Sequence, residues 1–468
     1  MMTKKRDKAK GKSHRIDGID LTNDTLTGRG GLAIFAQYLC NIGLLTELES
    51  RFGRLRKNRK GLSVVDLFKQ VICFFLDGTS RHLTWFDTIK EDEGYALSIE
   101  TDPDAMASSH SIKRFFQRFS PIYIWMLRSI LQHLFIWRLN LTQPDVILLG
   151  IDTMVLDNNE AKKRHGVQPT YKNIAGFQPL QMTWGRYVVD AVFRGGKKHS
   201  NHGDTVEKMV LHMVANIWSR YRAGVPIVVV MDSGFFDQKL FSRFESIGIG
   251  YVCGGRLSNG VKDYVRSVDI SCFKPYEKGG QVWDYLEFGD HPVSWDRSRR
   301  AVFCRPRYDD RQALLEFARP DTVLYTNLGM GGKNDERLKK IGRQDWLTIE
   351  GIIGLYHGRG RDELVFRSLK DFGFEELPFK KFTPNAAFYY VMLLAFFLSE
   401  SYKEDVLEGV IPVSAYATTV RRKALDFAAK VVRSGGRTIL KVTRAVWDRL
   451  NLPLLWQRSG NPPKICWE

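Results

Sequence analysis

Cysteine is scarce and scattered: six residues, Cys40, Cys73, Cys253, Cys272, Cys304 and Cys466, with no C-x-x-C pair among them. That spacing argues against a cysteine zinc site and against a disulfide scaffold. Apolar sequence neighbours mark most of them as buried free thiols in a reducing compartment. Uninterrupted apolar runs are short as well. The longest, "AAFYYVMLLAFFL" from Ala386, falls short of the roughly 20 residues that span a bilayer and reads as a buried helix. The basic N-terminus lacks the apolar core of a secretory signal. "GMGGK" around Gly331 lacks the spacing of a phosphate-binding loop, so nothing points to ATP. "HSNH" gives His199 and His202 a ligand-like gap without a second pair and reads as a loop. No internal repeat is visible. Acidic residues are outnumbered too, 52 against 70 Lys and Arg, for a formal net charge of +18. Such a surface attracts polyanions, nucleic acid first and an anionic membrane second.

What is present is enough for folded domains. The 468 residues are 44% hydrophobic and 12% aromatic, which by length allows two to four domains with real cores. Residues 1–24 read as a basic disordered tail. Residues 25–143 carry apolar positions at helical spacing and read as a helical DNA-binding domain. Within it, "RLRKNRKG" is a dense cationic loop holding Arg56, Lys57, Arg59 and Lys60. A following helix, with Ser111 as its expected cap, carries Lys113, Arg114 and Arg118. A cationic loop beside a basic helix is what phosphate contacts require.

After Pro144 the texture changes. "DVILLGIDTMVLD" and "VPIVVVMDSGFFD" are nearly continuous branched apolar runs, the mark of strands buried on both faces. With "LQMTW", "RYVVDAVFRGG" and "IGYVCGG" they predict the order three strands, helix, strand, helix, strand over 144–254. Short alternating runs predict a mainly β insertion over 255–344, and helices resume over 345–402. Residues 403–468, including "TTVRRKALDFAAKVVRSGG", read as a basic helical tail.

Three carboxylates stand out. Asp152 interrupts one apolar strand and Asp232 ends another. A charge there is costly unless it is paired or bound to metal. The third lies in "LYHGRGRDELVFRSLKDFG", residues 355–373. On a continuous helix with Tyr356 at zero, Arg359 falls at about −60°, Glu363 at about −20° and Lys370 at about −40°. Val365, Leu369 and Phe372 fall on the opposite face, so one side can be buried while the other presents polar groups. If the three carboxylates converge, they form an all-oxygen site suited to Mg²⁺ or Mn²⁺. Two such ions can support an in-line phosphoryl transfer.

On these residues the sequence resembles the DDE transposases of bacterial insertion sequences, of the cut-and-paste type with a β-rich insertion. The resemblance rests on "GIDTM" with Asp152, "VVVMDSGF" with Asp232, and Tyr356, Arg359, Glu363 and Lys370 at the spacing of that family's Tyr-Arg-Glu-Lys signature. "RGGKKHSNHGDT" and "PNAAFYYVMLLAFFL" also resemble one branch of it. The resemblance implies an α/β, RNase H-like catalytic domain with a mixed five-stranded sheet. It implies that Asp152, Asp232 and Glu363 hold two Mg²⁺ (or Mn²⁺) ions, while Tyr356, Arg359 and Lys370 grip DNA phosphates. The reaction it implies is hydrolysis at a transposon end, then attack of the freed 3′-hydroxyl on DNA, often through a hairpin. Trp283 or Trp295 of the insertion is the candidate to stack on a flipped base. The implied partners are double-stranded DNA, both terminal inverted repeats and target, and a second copy of the chain assembled on DNA, without a membrane. The implied location is the bacterial cytoplasm, at the nucleoid.

Overall fold

The structure, a computed structural model, describes residues 16, 18–56, 61–307 and 321–467, apart from the side chains of 360–362. The tail expected over 1–24 lies largely outside these residues. A short strand, β1 (Thr25–Thr27), leads into α1 (Leu32–Asn41), α2 (Leu44–Phe52), α3 (Val64–Asp77), α4 (Trp85–Ile89), α5 (Glu93–Ser98), α6 (Ser109–Gln117) and α7 (Pro121–Thr142). α3 shows why these segments are helical. Ser63 caps it by accepting from the Asp66 amide, its interior is apolar, and Gly78 ends it in the left-handed region at φ 59°. α6 is capped by Ser108, which accepts from the Ser111 amide, so the expected cap at Ser111 is one turn too late.

Next come β2 (Ile147–Thr153), β3 (Leu156–Asp157), β4 (Gln168–Pro169), β5 (Ala175–Phe177), β6 (Leu180–Trp184), β7 (Tyr187–Val192), α8 (Thr205–Arg220), β8 (Ile227–Met231), α9 (Gln238–Ile247) and β9 (Gly250–Gly254). The middle of the chain adds α10 (Asn259–Ser267), β10 (Lys274–Lys278), β11 (Gln281–Asp290), β12 (Arg299–Pro306), β13 (Thr322–Thr326) and α11 (Lys333–Lys340). Then follow α12 (Ile349–Gly358), α13 (Gly360–Phe372), α14 (Phe382–Tyr402), α15 (Ala417–Val420), β14 (Ala429–Ser434), β15 (Arg437–Lys441), α16 (Arg444–Leu450) and α17 (Leu452–Gly460).

The fold is mixed α/β around one large sheet. Five of its strands lie in the order β9-β8-β2-β6-β7, with β9, β8 and β2 parallel and β6 and β7 antiparallel. The sheet does not stop at five. β13 pairs antiparallel with β9, setting Tyr325 opposite Cys253, and β12, β11 and β10 follow to make nine strands. The insertion therefore extends the sheet instead of standing beside it, because the bare edge of β9 is a ready template for another strand. β8 and β9 are buried at every position. Alternation splits β8 between two cores: Ile227, Val229 and Met231 face one, and Val228 and Val230 face Ile352 and Ile353 of α12.

α14 is long and apolar enough to cross a membrane by length and composition, which a count of uninterrupted apolar residues understates, yet 89% of its most apolar window is buried. It is apolar all round because it is covered all round. Phe75 of α3 and Phe116 of α6 pack on Phe388 at 5.0 and 5.4 Å, and Tyr187 of β7 packs on Phe397 at 4.6 Å. The N-terminal helices and the sheet thus share one continuous core.

Two further expectations need correction. The C-terminal segment is not wholly helical. β14 and β15 form a hairpin on the left-handed pair Gly435–Gly436, and β14 pairs with β1. Glycine at both turn positions between alternating branched residues is a hairpin signal, and it outweighs the helical spacing upstream. Cys73, Cys253 and Cys304 are buried, but Cys40, Cys272 and Cys466 are exposed, so apolar sequence neighbours overstate thiol burial.

Candidate active site

β2 and β8 are parallel neighbours with Ile151 opposite Met231, so Asp152 and Asp232 stand side by side at the carboxyl ends of two central strands. That edge is where open α/β sheets place their ligands. Each carboxylate has one oxygen held by backbone. Asp152 Oδ1 accepts from the Thr153 amide at 2.6 Å, and Asp232 Oδ1 accepts from the Gly234 amide at 2.8 Å. The other oxygens turn toward one cation: Arg359 Nη1 lies 3.3 Å from Asp152 Oδ2 and 3.9 Å from Asp232 Oδ2. The three side chains are 16%, 32% and 19% exposed, so the cluster opens to solvent.

Tyr356 completes this group. The Arg359 guanidinium sits over its ring, 5.8 Å from the centroid. Its hydroxyl rests on the last residue of β9. A Cβ on Gly254 would stand 2.6 Å from that hydroxyl and 3.0 Å from the Ser233 nitrogen, so only glycine leaves it room. Burial pushes the Tyr356 pKa up; Arg359 opposes this, while Cys253, Asp232 and Asp152 add to it. Beneath, the buried Cys253 thiol donates to the Asp232 carbonyl at 3.3 Å. Burial, and then the charge of Asp232, push its pKa well up, so it stays a proton donor.

Glu363 and Lys370 lie on the next helix, α13. One residue, Arg359, separates α12, which ends at Gly358, from α13, which begins at Gly360, and its backbone stays in the right-handed helical region at φ −59° and ψ −23°. Two glycines flanking one residue weaken the helical hydrogen bonding at that point, while Arg359 itself keeps helical dihedrals. The apolar face of α13 is buried as expected, at Val365, Leu369 and Phe372. Glu363 is exposed on the opposite side. Among the described residues, no group of three or more His, Cys, Asp or Glu is placed to hold one ion. The structure sets Asp152 beside Asp232, and Glu363 closes no three-acid group with them among the described residues. Lys370 pairs with Glu375 at 2.8 Å, and Glu375 also accepts from the Asp157 amide at 3.4 Å.

Tyr171 was not singled out from sequence. It is 60% exposed at the tip of the β4–β5 hairpin, where Lys172 Nζ lies over its ring at 5.7 Å. Burial raises its pKa first, and Asp152, Asp232 and Glu363 all raise it further, so the phenol lies within the field of all three carboxylates. Its only trace in the sequence is a turn, "PTYKN", which marks no chemistry.

The candidate tryptophans differ in setting. Trp295 is packed among Phe236, Phe241 and Tyr325 at 5.3, 6.0 and 5.4 Å, with Arg299 over its ring. Trp283, half-buried like Trp295, lies against His357 at 4.6 Å and Tyr276 at 5.8 Å. His357 adjoins Tyr356, so Trp283 borders the active-site helix.

The cationic loop and basic helix of the N-terminal region come together. Arg56, Ser111, Arg114 and Arg118 line a depression of about 200 Å³. Lys113 does not line it, and Lys57, Arg59 and Lys60 lie outside the described residues.

A mixed sheet bearing two acids at the ends of adjacent parallel strands, beneath an arginine, defines an α/β protein with a carboxylate site. Residues 11–455 match the family described as Transposase DDE domain group 1, and the chain belongs to that family. Among solved structures it is similar to the piggyBac transposase synaptic complex with hairpin DNA, determined by cryo-electron microscopy. The identity is 12% and the TM-score 0.36, over 86% of this chain and 83% of that one. No curated protein matches it.

Proposed function

We propose that the protein is a DNA transposase that excises and integrates an insertion sequence by cutting and rejoining DNA phosphodiesters on an RNase H-like sheet. The observation that carries this reading is the acid pair: Asp152 and Asp232, each with one oxygen fixed by backbone and the other turned to Arg359. The strand order β9-β8-β2-β6-β7 supports the RNase H-like description.

The donor set fits a divalent metal. The Oδ2 atoms of both acids face a point already held by a cation, the donors are all oxygen, and the cluster is open to solvent. Asp152 and Asp232 would hold Mg²⁺ or Mn²⁺ there, with Glu363 brought in from α13 as DNA binds. Bound metal supplies Lewis acidity and an activated oxygen nucleophile. The chain's own residues do the positioning. Arg359 turns from the carboxylates to a phosphate oxygen, the Tyr356 hydroxyl donates beside it, and Lys370 anchors α13. The basic surface binds the terminal repeats and target, and two chains assemble on the ends. A strand-transfer assay with labelled ends of the repeat bracketing the gene tests this. Joined products are expected; cutting without joining favours a nuclease or resolvase, and binding without cutting an inactive DNA-binding descendant.

The N-terminal depression should bind phosphates. Alanine at Arg56, Arg114 or Arg118 should weaken DNA binding and flatten the plot of log K against log salt by about 0.9 for each phosphate left unneutralised. A slope equal to that of the unaltered protein removes this region from the interface.

If a hairpin forms, we take Trp283 as the candidate to stack on the extruded base, because it lies against His357 next to Tyr356 while Trp295 packs among three aromatic rings. Stacking is worth about 1–3 kcal/mol. Trp283→Ala should therefore slow hairpin closure by roughly 5- to 150-fold while first-strand nicking persists. Trp295→Ala should instead destabilise the fold by about 2 kcal/mol, less than a fully buried tryptophan costs. Normal hairpin closure by Trp283→Ala would exclude the stacking role.

A further inference from the structure

The loop between β7 and α8 borders the acid pair and carries charge that the fold leaves uncompensated. Arg194 is only 6% exposed. Its Nε donates to the Gln178 carbonyl at 3.2 Å and its Nη1 to the Ser200 carbonyl at 3.3 Å. Its Nη2 has no hydrogen-bond partner among the described residues, and no carboxylate there pairs with it. Burial pulls its pKa down to about 10, so it stays charged at neutral pH. A buried cation without a counter-charge is costly unless something supplies one.

The next residues explain how the loop is held. A Cβ on Gly196 would stand 2.1 Å from the Gln168 carbonyl oxygen and 2.6 Å from that of Gly176. The glycines of "RGGKK" thus clamp backbone against the β4–β5 hairpin. Beyond the clamp, Lys197 and Lys198 are exposed. Lys198 Nζ lies 2.7 Å from His202 Nε2. An ammonium there donates to the Nε2 lone pair of His202, so that nitrogen is turned to Lys198 and not to a metal. The far side of the loop is tied to both acid-bearing turns. Ser200 Oγ is 3.4 Å from Thr153 Oγ1, next to Asp152, and a Cβ on Gly234, two residues after Asp232, would stand 2.9 Å from the same oxygen; Asn201 Nδ2 donates to Asp237 Oδ2 at 2.9 Å, at the start of α9.

We infer that this loop is a binding subsite for a DNA backbone phosphate flanking the one at the acid pair, with Lys197, Lys198 and His202 as its ligands. The inference rests on the transposase reading above. Arg194 acts from beneath: it holds the loop through Ser200 and its uncompensated charge draws the phosphate in, strengthened by the low dielectric around it. Its link to both acid-bearing turns makes the subsite a register pin, fixing which phosphodiester meets Asp152 and Asp232.

The test is a cycle between chain and DNA with the full-length protein. The substrate is a duplex carrying the inverted repeat that brackets the gene, with phosphates near the cut replaced one at a time by neutral methylphosphonates. Single-turnover cleavage is compared for the unaltered protein and for the Lys197→Ala/Lys198→Ala variant, whose melting temperature is checked first. The unaltered protein should lose about tenfold at one flanking position, the size of one charge-assisted hydrogen bond. The variant should start slower by a similar factor and lose nothing more at that position, while matching the unaltered protein's losses elsewhere. Losses that multiply at every position overturn the inference and leave the transposase reading intact. No cutting by the unaltered protein in Mg²⁺ or Mn²⁺ overturns both.

Discussion

Asp152→Asn and Asp232→Asn are each expected to abolish DNA cleavage while DNA affinity holds or rises. The amide keeps the shape and the backbone contact, since its oxygen can still accept from the Thr153 or Gly234 amide. What it loses is the charge turned toward Arg359. The rate should fall by at least the roughly 10²–10³-fold that loss of one preorganised electrostatic group costs. Removing a negative charge beside a polyanion cannot weaken binding electrostatically, so a gel-shift constant should stay level or tighten. The melting temperature should change little, because the amide relieves repulsion between two neighbouring acids as it weakens the pair with Arg359. Glu363→Gln should match them in cleavage, since α13 must deliver that carboxylate for the site to be complete. Normal cleavage by Glu363→Gln would leave a two-acid site and remove the third ligand. A gross loss of DNA binding in the Asp variants would make the acids folding residues.

The strands were legible because burial on both faces leaves a simple trace: "IVVVM" has no polar residue to break it, so the aspartate that follows stands out. The chain passes from β2 to β8 through the β6–β7 hairpin and α8, and the parallel pairing of β2 with β8 is what sets Asp152 beside Asp232. The helix carrying the signature was legible in its apolar face and not in its polar one. Val365, Leu369 and Phe372 keep phase within α13, but which polar side chains of α12 and α13 meet the acid pair is set by packing on the sheet: Arg359 does, and Glu363 closes no three-acid group there among the described residues. The insertion was legible as β, but sequence alternation does not say which edge a strand joins; that is set by the unpaired backbone of β9. Tyr171 carries no local pattern, and Arg194 stands in "RGGKKHSNHGDT" without a spacing that marks it as buried. Their roles come from contacts between segments distant in the chain, as does the fit of Gly254 beneath Tyr356.

Arg359 tests whether the cation between the acids holds the place of metal. With metal absent, Arg359→Ala leaves Asp152 and Asp232 facing each other without that counter-charge and removes the guanidinium from the Tyr356 ring. The group is partly solvated, so the loss should be about 1–3 kcal/mol, below that for breaking a fully buried pair. The sign then reverses on adding Mg²⁺. If metal takes that place, a divalent ion has to displace the guanidinium in the unaltered protein, whereas in Arg359→Ala no guanidinium competes for the two carboxylates. The Mg²⁺-dependent rise in melting temperature should therefore be larger in the variant, in keeping with tighter binding to the folded state. Cleavage should still be lost, because no side chain then turns to the phosphate. Arg359→Lys separates the two roles. It keeps the charge and should recover most of the metal-free stability, but it lacks the planar fork that grips two phosphate oxygens and should stay slow. Equal Mg²⁺ responses in the unaltered protein and Arg359→Ala would show that arginine and metal do not share a place, and the acid pair would then be a structural ion pair instead of a metal site.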